Sequence, residues 1–105
     1  MDSFTDRERG VEAKFASDEA QESRATTRRN RMLGEWAAKL MGLENVEDYA
    51  KAVVKSETDP PQDADVLRKV SQDLSGSGLS VAVSEVHAKM DEFLAISRGQ
   101  IQAGR

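Results

Sequence analysis

The 105-residue chain contains no cysteine, one histidine, two prolines and five aromatic residues. Without cysteine there is no disulfide framework, no thiolate metal site and no cysteine nucleophile, so the fold must be held by apolar burial alone. One histidine rules out a structural zinc site, which needs several nitrogen or sulfur ligands. It also leaves no basis for a Ser-His-Asp triad, because no nucleophile elbow accompanies it. Apolar runs are only a few residues long, which excludes a bilayer span. The first twenty residues carry six acids and lack the apolar core of a signal peptide, so the protein is expected to stay in the cytoplasm where it is made. Fifteen basic residues against nineteen acidic give a net charge of −4, which argues against nucleic-acid binding through bulk charge.

Motifs that resemble chemical sites fail on detail. Ser75-Gly76-Ser77-Gly78 is not a phosphate cradle, since no Lys-Ser/Thr follows it. Asp59, Asp63 and Asp65 do not form a calcium loop, because Ala64 stands where the loop glycine is required and Val70 where the closing acid is required. A chain this small rarely builds a reaction pocket, and we read it as a non-enzyme with no metal and no cofactor.

What is present is unevenly placed. Only Met1, Phe4, Val11 and Phe15 are large apolar residues before Met32; the rest of that class lies in residues 32–105. The charge divides too: residues 1–23 hold seven acids and three bases, and Arg24, Arg28, Arg29 and Arg31 follow without an acid among them. A segment with so little apolar surface does not offset its ordering entropy by itself, so residues 1–20 are expected to form a mobile arm and residues 21–105 the folded body.

In the body, apolar residues recur at helical offsets: Leu33, Trp36, Ala37, Leu40; Val46, Tyr49, Ala50, Val53; Val66, Leu67, Val70, Leu74; and Val83, Val86, His87, Met90, continuing to Phe93, Leu94 and Ile101. Gly42 should end the first helix, Asn45 cap the second, Asp59-Pro60-Pro61 open the third, and Ser80 cap the last after a flexible SGSG linker. The expectation is an all-α protein, a small four-helix bundle with helices at about 21–41, 46–57, 61–75 and 80–102, preceded by the arm. Trp36, Tyr49 and Phe93 should fill the core, and His87 should sit in it or at its boundary.

The arm has helix-start chemistry in Ser3-x-x-Asp6 and Thr5-x-x-Glu8. Phe4, Val11 and Phe15 fall on one narrow stripe, with Asp6, Arg7, Glu8, Arg9, Glu12 and Lys14 around it. Gly10 costs about 1 kcal/mol in a helix interior, and isolated helices of this length are marginal in water. A conditionally helical arm with a two-Phe stripe is suited to docking in a partner's groove.

Phe4-Thr5-Asp6-Arg7-Glu8-Arg9, Glu12-Ala13-Lys14-Phe15-Ala16 and Arg28-Arg29-Asn30-Arg31-Met32-Leu33-Gly34-Glu35-Trp36-Ala37-Ala38 together resemble the ATPase inhibitor subunit zeta family, the zeta subunits of alphaproteobacterial F1FO-ATP synthases, along essentially the whole chain. The resemblance implies a four-helix protein peripheral to the inner membrane through F1. Such a protein inhibits ATP hydrolysis by inserting its N-terminal segment at a catalytic alpha/beta interface near the gamma subunit. On that resemblance the inhibitory positions are Phe4, Asp6, Arg7, Glu8, Arg9, Val11, Glu12, Lys14 and Phe15. The alternative reading is a small helical module that weakly binds adenine nucleotide through the surface bearing Arg24, Arg28, Arg29, Arg31 and Lys39, because arginine forks match phosphate geometry. A third possibility for the same cluster is a solvated helix face.

Overall fold

The computed structural model describes the backbone of residues 3–105 and the side chains of residues 18–105. It contains four α-helices and, among the described residues, no strand: α1 Ser3–Met41, α2 Val46–Lys55, α3 Asp63–Gly76 and α4 Val83–Gln102. The all-α expectation holds. The helix expected at about 21–41 is continuous with the conditionally helical arm before it, and together they form α1 from Ser3 to Met41. The composition shift near residue 20 records where apolar packing begins. Backbone helix needs only compatible residues, and no proline interrupts residues 3–41. At 1.5 Å per residue, 39 residues rise about 58 Å, which accounts for a molecule 66 Å long and only 24 × 21 Å across.

Helix ends follow local chemistry. Gly42, at φ +70°, terminates α1: its N–H donates to the Lys39 carbonyl at 3.2 Å and the Leu43 N–H to Ala38 at 3.0 Å. This is the paired closure that a left-handed residue makes possible. α3 closes in the same way through Gly78, with Leu79 donating to Leu74 at 3.1 Å. The SGSG stretch is therefore a helix end and an ordered turn, which corrects the expected flexible linker: α3 runs through Gly76 and Ser77 caps it. Asn45 caps α2 as expected, its side chain accepting from the Asp48 N–H at 3.1 Å. Ser80 does not cap α4; Ala82 occupies that position without a side-chain bond. Pro60 and Pro61 stay in the connection, and α3 starts two residues later at Asp63.

The core is made of Leu33, Ala37, Val53, Val66, Val70, Leu74, Val86 and Met90, with Trp36, Tyr49 and Phe93 half-buried against it. Its tightest point is the crossing of α1 and α2. A Cβ added to Gly34 would lie 2.7 Å from the Ala50 Cα and 3.1 Å from the Val53 Cγ2, so the two backbones meet at a spacing only glycine permits. The α4 stripe runs through Val86, Met90, Phe93 and Ser97. His87 stands about 90° around the helix from its centre at 100° per residue. It is exposed, facing Asp91 at 3.4 Å, and is not the core or boundary residue expected. Leu40 and Val83 also lie outside the core, 46% and 55% exposed.

Candidate functional site

Two groups of residues were singled out by sequence. Phe4, Asp6, Arg7, Glu8, Arg9, Val11, Glu12, Lys14 and Phe15 all lie on α1. Their side chains fall outside the described residues. What the backbone establishes is continuity: the helix that carries these positions is the one that enters the bundle.

The second group is fully described, and the structure divides it. Arg29 is 2% exposed. Its Nη2 donates to Glu57 Oε1 at 3.3 Å and Asp63 Oδ1 at 3.0 Å, and its Nε donates to Asn30 Oδ1 at 2.9 Å. Asn30, also buried, donates to the same Glu57 oxygen at 3.4 Å. A buried guanidinium between two carboxylates is a structural clamp, tying α1 to the α2–α3 connection and to the first turn of α3. Arg29 is thereby removed from the proposed anion surface, and the cluster is not a uniformly solvated face. The pairing was hidden because Glu57 and Asp63 stand 28 and 34 residues away in sequence. The visible hint was an arginine four residues before Leu33 on a stripe that turns apolar.

Arg28 donates to Gln100 Oε1 at 3.1 Å and to the Arg105 carbonyl at 3.1 Å, joining α1 to the end of α4. Six residues nearer the N-terminus of α1, Arg98 Nε donates to both carboxylate oxygens of Glu22 at 3.2 and 3.1 Å. The Arg98 hydrogen bond holds the Glu22 carboxyl below the usual glutamate range. Arg31 is exposed and pairs with Glu47 of α2 and Glu35 of its own helix.

Around these contacts the surface separates by charge. Between α1 and α2 runs an open groove of about 480 Å³ lined by Arg24, Arg28 and Arg31 of α1 and Lys51 and Lys55 of α2, with Ser23, Thr27 and Val54 between them and no acidic residue in the lining. Sequence reasoning missed Lys51 and Lys55, because their relation to the arginines depends on how α2 packs on α1. On the other flank of the Ser23–Thr27 ridge, Glu19, Glu22, Glu57 and Asp59 line an acidic depression. Lys39 is exposed in the last turn of α1 and does not line the basic groove. No group of three or more metal-ligating side chains occurs among the described residues, and no described helix is long and apolar enough to cross a membrane.

No curated protein matches the chain. The family model for ATPase inhibitor subunit zeta matches residues 1–100, spanning both the N-terminal turns of α1 and the bundle, and the chain belongs to that family of ATPase inhibitor subunits.

Proposed function

We propose that the chain brakes ATP hydrolysis by the F1 sector of a rotary ATP synthase, contacting its alpha, beta and gamma subunits and lying in the cytoplasm at the membrane through F1. The first turns of α1 enter a catalytic alpha/beta interface, and the bundle remains outside as a bulky stop. The observation that carries this reading is the family match over residues 1–100, which takes in the N-terminal segment. The continuity of α1 from Ser3 to Met41 supplies the mechanics. A force on the inserted turns passes along an unbroken helix into a clamped bundle, so the segment acts as a rod of about 1.5 Å per residue between subunits that must separate.

On this reading Phe4, Val11 and Phe15 bury in the cleft, at about 1.5–3 kcal/mol for each Phe before ordering costs. Asp6, Arg7, Glu8, Arg9, Glu12 and Lys14 pair with charged groups of the partner and tune specificity and encounter rate. Adding the purified chain to F1 should slow ATP hydrolysis in a dose-dependent, saturable way, and the chain should co-purify with F1. Unchanged hydrolysis at a large molar excess would reject the proposal.

A second reading, adenine nucleotide bound weakly at the arginine-bearing surface, has the basic groove in its favour. Arg24, Arg28 and Arg31 line that groove, while Arg29 and Lys39 do not. Titrating ATP while following backbone amide shifts tests it: shifts confined to the groove support it, and none at millimolar ATP remove it.

A further inference from the structure

We infer that the groove between α1 and α2 is a second docking surface, taking an acidic segment of the ATPase whose carboxylates stand one helical turn apart. The inference rests on the proposed braking function and adds an anchor separate from the N-terminal segment.

The geometry of the cations carries it. Arg24, Arg28 and Arg31 follow one another at offsets 0, 4 and 7 along α1, and Lys51 and Lys55 at offsets 0 and 4 along α2. Those spacings put the cations in two rows with successive members about 5–6 Å apart, spread over about 10 Å of α1 and 6 Å of α2. A polyphosphate is held by converging donors, typically the backbone N–H groups of a glycine-rich loop or a helix N-terminus. This lining has neither: every residue in it lies within α1 or α2 away from their N-termini, and none is glycine. Rows of cations at helical spacing match a ligand whose charges are distributed at the same interval, such as an acidic helix with Asp or Glu at i and i+4.

Charge complementarity points the same way. The whole chain carries −4, so an acidic partner surface is repelled by most of the molecule and steered to this groove, which gathers five cations. The acidic depression behind the Ser23–Thr27 ridge fixes the orientation, since a partner rotated across the ridge would set its acids against Glu19, Glu22, Glu57 and Asp59. Arg28 and Arg31 already hold Gln100, Arg105, Glu35 and Glu47. The exposed Arg24, Lys51 and Lys55 are therefore the groups most able to reorganise toward the partner.

Carbodiimide treatment of the full chain bound to F1 joins lysine amines to carboxylates in direct contact. It should yield cross-links from Lys51 or Lys55 to Asp or Glu of an F1 subunit. The double reversal Lys51→Glu/Lys55→Glu, with Arg24→Glu as an independent variant, should weaken apparent affinity for F1 about tenfold at 50 mM salt and about twofold at 0.5 M. All three side chains are exposed, so the variants should keep the wild-type circular dichroism and melting curve.

Wild-type affinity in the variants at low salt, with Lys51 and Lys55 absent from every cross-link, would overturn the inference while leaving the brake intact. ATP-induced shifts in the groove combined with unchanged affinity for F1 would overturn it in favour of a small anion. Failure of the wild-type chain to bind F1 at all would be failure of the braking function itself.

Discussion

From Leu33 to Ala38, α1 meets its neighbours through Leu33, Ala37 and Ala38, all fully buried, and through a glycine pressed against the α2 backbone. From Glu22 to Asn30 the same helix meets them through Glu22 with Arg98, Arg28 with the end of α4, and Arg29 and Asn30 with Glu57 and Asp63. Ala25 is the only buried apolar residue in that second stretch. The apolar stretch stabilises by area, which is undirected and insensitive to pH and salt. The polar stretch contributes little net area but fixes the rotation and register of the helix, because each hydrogen bond is satisfied in one arrangement only. For a protein whose proposed brake is carried at the N-terminal end of that helix, register is what the bundle must supply.

The sharpest way to break the contrast is to remove the clamp. Arg29→Ala leaves Glu57 facing a buried void, and it should cost about 3–5 kcal/mol in chemical denaturation, the range for a buried pair cut on one side. The double variant Arg29→Met/Glu57→Met should recover at least half of that loss. If it recovers none, an unpaired Glu57 carboxylate is not the source of the loss, and the two stretches are less different than their chemistry suggests.

In the apolar core that Leu33 and Ala37 join, Leu74→Ala in α3 should cost about 2–5 kcal/mol, with no dependence on ionic strength. Gly34→Ala tests the close approach. Alanine is the better helix former by about 1 kcal/mol, yet the added methyl would sit 2.7 Å from the Ala50 Cα. The variant should therefore lose stability, by about 1–3 kcal/mol. A stabilised Gly34→Ala protein would show that the helices are not in contact there.

The smallest effect belongs to Glu22. Its pair with Arg98 is half exposed on both sides, so Glu22→Gln should cost less than about 1 kcal/mol at neutral pH. Because the folded-state pKa of Glu22 is lowered, the pair's contribution is complete above the ordinary glutamate range and is lost as the pH falls through the lowered value. Wild type and Glu22→Gln should thus converge in melting temperature on acidification, while Leu74→Ala keeps a constant offset from wild type.

These contrasts also explain what was legible in the sequence. The apolar core was readable: Leu33 and Ala37, Val66 and Val70, and Val86 and Met90 repeat at the helical period, and Gly42 and Asn45 mark the end of α1 and the start of α2 by local chemistry. The polar stretch was not, since Arg29 looks like any surface arginine until the fold brings Glu57 and Asp63 to it. Composition marked residue 20 as a boundary because apolar density rises beyond it, but helix formation does not require apolar residues, and α1 passes through. His87 and Val83 satisfied the spacing rule yet sit on the flank of the α4 stripe, where a window of four offsets does not distinguish centre from edge. The basic groove was half visible, as the arginines of α1 without the lysines of α2.

In the proposed brake the bundle stands by itself and the leading turns of α1 stop hydrolysis. It is tested most directly by comparing ATP hydrolysis by F1 in the presence of the full chain and of a variant lacking residues 1–16. The truncated protein should keep its helical spectrum and cooperative melting while hydrolysis proceeds at the uninhibited rate. A truncated, folded protein that still inhibits as strongly as the full chain would contradict the claim.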